Sequence, residues 1–251
     1  MEAALLAAFM LSACVFTVLL EHPGSPVHQA IGNPLGRRAL AGLAMGASLI
    51  VLVHSSWGKQ SGAHMNPAVT LTFWSLGKIE RWDAAFYVAA QFAGGASGVA
   101  VADLLIGFPL RHSAVNYAAT TPGPGGAVIA LRAEFLISLL LMSAVLIVSN
   151  SRRFSRYTAL VAGALVAAFI TFEAPLSGMS MNPARTLGSA LPANEWNPLW
   201  IYFIAPPLAM LLAGGLYRFR RGGHAVFCAK LHHHNGKRCI FRCKYGELNV
   251  Q

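Results

Sequence analysis

Two asparagines and one arginine are the residues of this 251-residue chain whose setting first poses a chemical question. Asn66 stands in SGAHMNPAVTL (61–71) and Asn182 in SGMSMNPARTL (177–187). The two segments agree at eight of eleven positions and lie 116 residues apart (182 − 66). Only the second carries an arginine, Arg185. Asparagine is a favoured helix N-cap, and proline suits the first helical position because its missing N–H would be unpaired there anyway. Each Asn-Pro-Ala therefore predicts the start of a helix. Two such starts pointing at one another would bring together two amide donors and roughly half a positive charge from each helix dipole. That chemistry orients a neutral dipolar molecule and repels cations. It makes and breaks no bonds, and no base–nucleophile pair lies within the apolar segments, so an enzyme is not expected.

The elements that must hold these residues follow from composition. The chain is 55% hydrophobic and 11% charged, with a mean hydropathy of +0.54. Soluble domains carry about 25% charged residues, so the chain reads as a membrane protein. Six apolar runs, 3–20, 39–57, 84–102, 129–149, 157–174 and 199–217, approach the roughly 20 residues that a helical span requires. The first opens with Glu2 rather than a basic segment and is followed by no small-residue cleavage site, so it reads as a retained helix. The formal charge of +10 does not mark a nucleic-acid surface, because 14 of the 19 Lys/Arg fall in 59–81, 152–156 and 218–244. Those segments share one side of a six-span topology, and the positive-inside rule puts them and both termini in the cytoplasm. The cell (plasma or inner) membrane is the expected location.

Three spans precede and three follow the Pro/Gly/Thr-rich loop at 107–128. An odd number of spans per half forces the halves into opposite orientations, so the repeated motif enters the bilayer from both sides. Inverted repeats with interrupted helices place their site near the midplane. VTLTFWSL and RTLGSAL, after each Asn-Pro-Ala, are too short to span and read as half-helices. Backbone before them, Ser61–Met65 and Ser177–Met181, is tolerated at that depth only if it lines a watery cavity or is buried in protein. The expected fold is an all-α membrane protein of six transmembrane helices plus two re-entrant half-helices in inverted repeats. The channel domain is 1–218, with repeats at about 1–108 and 127–218. A basic Cys/His-rich tail occupies 219–251. Gly42-x3-Gly46 and Gly94-x3-Gly98 suit close helix contacts.

The paired SG-x-x-MNPA-x-TL segments, the inverted halves and an arginine after only the second NPA resemble the aquaporin (major intrinsic protein) family, in a bacterial-type channel, over about residues 1–218. The resemblance implies a homotetramer with one pore per protomer, embedded in the lipid bilayer. It makes Asn66 and Asn182 the pore asparagines, Arg185 the arginine of the outer constriction and His64 a pore-lining histidine on the cytoplasmic side. Glu2 and Glu134 correspond to buried glutamates that brace the re-entrant loops. Met179 and Ile170 fall beside Arg185 in the constriction, together with Gly46, or with Met45 if the loop carries one extra residue. This ring lacks the aromatic and histidine usual in strict water channels. Thr186, where glycerol-conducting relatives carry Asp, and the aromatic pair Tyr202–Phe203 pull towards water.

The expected function is therefore a passive channel for water, with tolerance for small neutral solutes, that excludes protons and ions and needs no cofactor. The alternative within the class is a facilitator of glycerol or small neutral solutes with a wide apolar filter. The alternative outside it is an ion-coupled secondary transporter, which calls for an intramembrane carboxylate in the motif. Glu173 and Asp103, near span ends, are read as solvated.

The tail holds three of the four cysteines among consecutive histidines, in HAVFCAKLHHHNGKRCIFRC (224–243). Cys14, in the first span, reads as a small core residue. Cys228-x3-His232-x6-Cys239-x3-Cys243 offers four tetrahedral ligands to zinc, and His233 or His234 could replace His232. The alternative is a basic, reduced tail that attracts anionic lipid. The pore is expected not to need the metal.

Overall fold

A computed structural model describes residues 1–245. Eight helices organise it: α1 Glu2–Glu21, α2 Pro34–His54, α3 Pro67–Ser75, α4 Arg81–Ile106, α5 Gly126–Ser149, α6 Thr158–Phe172, α7 Pro183–Ala193 and α8 Leu199–Arg221. Six of them, α1, α2, α4, α5, α6 and α8, are long and apolar enough to cross a membrane, α6 with the turn Ser155–Tyr157 before it. No strand occurs among the described residues. The two short helices α3 and α7 are the half-helices. Both open on Asn-Pro, and so does α2, where Asn33 Oδ1 accepts from Leu35 N at 2.9 Å. The sequence rule for a helix start is thus used three times, twice inside the membrane.

Packing repeats between the halves. The first and third spans of each half lie together, α1 along α4 and α5 along α8, while α2 packs along α6 across the junction of the halves. Each half-helix docks on the third span of the other half, α7 on α4 and α3 on α8. Glycines permit this closeness. A Cβ on Gly94 would lie 2.3 Å from Ala3 O, and one on Gly98 2.5 Å from Ala7 O, so both belong to the α1–α4 seam. Gly42 and Gly46 do the same on α2, where an added Cβ would meet Ala167 O and Gly163 O, each at 2.4 Å.

All five tryptophans, Trp57, Trp74, Trp82, Trp196 and Trp200, are 45–65% exposed. Trp57, Trp82, Trp196 and Trp200 lie at or beside span ends and Trp74 at the end of half-helix α3, where amphipathic rings suit the boundary between lipid and water. Met1 and the segment 222–245 lie at one end of the bundle, the tail face. The linker between the halves, with its buried Leu110, Val115 and Ala118, lies at the other.

Candidate functional site

Each half-helix is approached by a loop whose backbone alternates in hand. Gly62, Ala63 and Met65 have φ of 90°, 57° and 49°, and Gly178, Met179 and Met181 have 80°, 52° and 54°. The matched positions are again 116 residues apart, so the motif copies share their backbone as well as their letters. Positive φ costs non-glycine residues roughly 1–3 kcal/mol each and persists only where the surroundings fix it. The fixing groups are two buried glutamates. Glu2 accepts from Ser61 Oγ at 2.6 Å, His64 N at 3.2 Å and Met65 N at 2.6 Å, with Gln91 Nε2 adding a bond at 2.8 Å. Glu134 accepts from Ser177 Oγ at 2.8 Å, Ser180 N at 2.7 Å and Met181 N at 2.8 Å. Glu2 and Glu134 are 3% and 0% exposed, so both are buried braces rather than interfacial carboxylates. Tyr202 adds a bond from its hydroxyl to Ser177 O.

The asparagines meet at the centre. Asn66 Oδ1 accepts from Ala68 N at 2.9 Å, and Asn182 Oδ1 accepts from Ala184 N at 3.1 Å and Arg185 N at 3.2 Å. These are the N-caps expected from the sequence. Asn66 Nδ2 donates to Met181 O at 2.7 Å, and Asn182 Nδ2 donates to Met65 O at 2.8 Å. Each amide thereby ties its own half-helix to the loop of the opposite half. A carboxamide NH2 has two hydrogens, so each retains a second donor.

A cavity of about 350 Å³ runs past this meeting point. Asn66, Asn182, His64, Arg185, Met179 and Ile170 all line it. Arg185 Nη1 is buried without a hydrogen-bond partner among the described residues. Buried guanidinium nitrogens ordinarily find an acceptor, so this one is free to bind an oxygen in the cavity. Gly46 does not line the cavity; Met45 does, and Gly46 faces the Gly163 backbone instead. Adjacent helical residues point about 100° apart, and the seam with α6 claims the glycine, which turns the methionine inward. Thr186 and Tyr202 also stand off the wall. Thr186 bonds to Ser180 Oγ and to Thr120 Oγ1, while Phe203 stacks on Phe92 at 5.9 Å.

Two carboxylates behave differently from one another. Asp103 pairs with Arg111 at 2.8 Å near the exposed end of α4. Glu173, read from the sequence as solvated, is only 8% exposed and accepts from Ser177 Oγ at 2.5 Å. The hydroxyl shared with Glu134 draws it inward.

The largest departure from the sequence reading is at the tail face. Leu231 joins the cavity wall, its N–H donating to Gly62 O at 3.2 Å. His64 Nε2 donates to Ala229 O at 2.8 Å; a carbonyl can only accept, which fixes the proton on Nε2 and turns Nδ1 to Thr70 Oγ1 at 3.0 Å. Phe241 stacks on His64 at 5.5 Å and 6°. The tail packs against this end of the cavity. Beyond it, Cys228, His233, Cys239 and Cys243 place one donor atom each within 4.8 Å of one another. His233, not His232, completes the set: its Nε2 is 3.0 Å from Cys243 Sγ, while the His232 ring lies 4.5 Å from that of His54. Neighbouring side chains diverge in this non-helical stretch, so only one of the adjacent histidines can face the thiols. Burial, helped by the neighbouring His54, lowers His232 to about 4. The hydrogen bond between the Cys228 and Cys239 sulfurs pulls Cys239 well below a normal thiol and, with burial, pushes Cys228 up.

The major intrinsic protein family model matches residues 2–217. The chain belongs to that family. It is an integral membrane protein, and members of that family are channels, not enzymes, that require no cofactor. The chain is 34% identical to aquaporin NIP1-3 of rice (Oryza sativa subsp. japonica) over 180 residues, covering 71% of this chain and 61% of that protein. It is 32% identical to aquaporin NIP2-3 of maize (Zea mays), covering 88% and 72%. With aquaporin TIP4-4 of maize it shares 36% identity, covering 86% and 88%. The match thus spans less than two thirds of the rice protein's length and more of the others. The X-ray structure of the aquaglyceroporin from Plasmodium falciparum superposes with a TM-score of 0.68 at 20% identity, covering 86% of this chain and 92% of that one, a likeness of fold. The family match ends at 217, so the capping tail lies outside it.

Proposed function

We propose that this chain is a passive channel for water that tolerates small neutral solutes and excludes protons and ions. The observation that carries the reading is the crossed pair of asparagine amides where two half-helix N-termini meet on the cavity wall. Loop carbonyls on one side and Ala162, Val166, Leu141 and Val145 on the other give a path for single-file water. The second amide hydrogens of Asn66 and Asn182 bind the oxygen of the central water, turning its hydrogens outward and breaking a continuous proton wire. The helix dipoles and Arg185 repel cations. His64 completes the wall towards the tail face.

The second reading, a facilitator of glycerol or similar neutral solutes, has its own support. Met45, Ile170 and Met179 leave an apolar, non-aromatic ring around Arg185. An ion-coupled transporter has less, because Glu2 and Glu134 are occupied by loop N–H groups. The proposed assembly is a homotetramer in the cell membrane with the tail face in the cytoplasm, where the basic residues lie. Residues 1–218 are the channel unit and 219–251 its tail, whose thiol cluster is a site for zinc. Osmotic shrinkage of metal-stripped proteoliposomes in sucrose and in glycerol decides between the solutes. Fast, sustained shrinkage in both gradients supports water, re-swelling in glycerol adds the neutral solute, and shrinkage at the rate of empty vesicles refutes the reading.

A further inference from the structure

The tail from Gly222 onward has no helix longer than one turn and no strand among the described residues, yet it buries Val226, Cys228, Ala229, Lys230 and Leu231. Irregular chain of this kind needs something beyond a backbone ladder to hold one shape. Surface bonds supply part of it. Phe227 N donates to Asn150 Oδ1 at 2.6 Å, Arg242 Nε to Glu80 Oε1 at 2.6 Å, and Gln60 Nε2 to Arg238 O at 3.3 Å. The rest converges on the thiol cluster. Cys228 immediately precedes Ala229, the acceptor for His64, and Cys239 comes two residues before Phe241, the ring stacked on His64. Gly62, at the re-entrant loop, leaves room for that ring, since an added Cβ would be 2.6 Å from Phe241 Cε2. The two arms that pack on His64 at this end of the cavity are therefore anchored by the same four donors.

Those donors suit a thiophilic divalent cation. A tetrahedral zinc with Zn–S of about 2.3 Å and Zn–N of about 2.0–2.1 Å puts ligand atoms roughly 3.5–3.8 Å apart. The Sγ atoms of Cys228 and Cys239 are 3.4 Å apart, and all four donor atoms fit within 4.8 Å. Tyr245 stacks on His233 at 4.0 Å and fixes its ring.

We propose that Cys228, His233, Cys239 and Cys243 bind a zinc-class ion that clamps Ala229, Leu231 and Phe241 over the tail-face mouth, so that metal loading closes the channel and metal removal opens it. The inference rests on the water-channel reading. It replaces the sequence expectation that the pore is indifferent to the tail. Opening here means parting the two arms, which separates the donors, so the ion binds the closed tail. At free zinc about 100-fold above its dissociation constant, the closed state gains about 100-fold over the open one.

The test uses the full, untagged chain in proteoliposomes, under a non-thiol reductant, either loaded with zinc or stripped by EDTA on both sides of the membrane. Elemental analysis should find one zinc per chain, osmotic water flow should be low when loaded and rise at least about tenfold when stripped, and reloading should reverse it. A Leu231→Ala/Phe241→Ala chain should keep its zinc but stay open when loaded. Cys239→Ser/Cys243→Ser should lose the zinc and conduct without regard to EDTA. Zinc at one per chain with equal flow above empty vesicles in both states would overturn the clamp and leave the channel intact. Absence of stoichiometric zinc would overturn the site. Flow at the empty-vesicle level in every state and in the Leu231→Ala/Phe241→Ala chain would overturn the water reading, and the clamp with it.

Discussion

Replacing Glu134 separates the work of its two oxygens. In the native chain, Oε1 accepts from Ser180 N and Ser177 Oγ, and Oε2 accepts from Met181 N. Glu134→Ala leaves two backbone N–H groups in a fully buried loop without acceptors. An unsatisfied buried donor costs about 1–3 kcal/mol, so the loss is about 2–6 kcal/mol before any cavity is counted. Ser177 Oγ retains Glu173, so it adds little. Glu134→Gln keeps one acceptor but turns an NH2 against the other N–H, for about 1–3 kcal/mol. The order should be wild type, then Glu134→Gln, then Glu134→Ala, in the fraction of detergent-solubilised protein that survives graded heating as a monodisperse peak. Water flow per folded protein should fall in the same order, because the loop's left-handed residues Met179 and Met181 lose their support. An alanine variant as heat-resistant and as conductive as wild type would refute the brace.

Three further substitutions probe other parts of the same account. Gly46→Ala should destabilise the α2–α6 seam by about 1–3 kcal/mol without changing glycerol entry per folded protein, while Met45→Ala should speed glycerol entry; the reverse pattern would restore Gly46 to the filter. Arg185→Val should keep water flow but raise proton or small-cation leak in voltage-clamped cells, and an unchanged leak at normal surface expression would contradict its role. Tyr202→Phe removes the hydroxyl bond to the buried Ser177 O and should cost about 1–3 kcal/mol of heat stability, with glycerol and water flow in their native ratio; a changed ratio would place Tyr202 in selectivity instead.

Much of this architecture was legible because the physics of a membrane is strict. Long apolar runs announce α1, α2, α4, α5, α6 and α8, and Asn-Pro announces the starts of α3 and α7. Identical letters 116 apart carried identical backbone, down to the positive φ at Met65 and Met181. Facing on a helix was harder to read. Met45 and Gly46 differ by one position, and only the contact of Gly46 with Gly163 decides which turns inward. Glu173 was read as solvated because it follows a span, and the shared Ser177 hydroxyl was invisible without the loop. The tail resisted most. No periodicity marks a chain that packs through isolated contacts such as Phe241 on His64, 177 residues away in sequence (241 − 64). Its three adjacent histidines have the same chemistry, and only geometry distinguishes His233 from His232.

The central claim is that water passes this channel while protons do not. The direct measurement is stopped-flow light scattering on metal-stripped proteoliposomes, paired with a pH-sensitive dye trapped in the same vesicles. The account predicts water flow above empty vesicles, with a lower activation energy than theirs, and proton entry no faster than theirs. Water flow equal to that of empty vesicles, from protein shown to be folded and inserted, or proton entry rising in step with water, would contradict it.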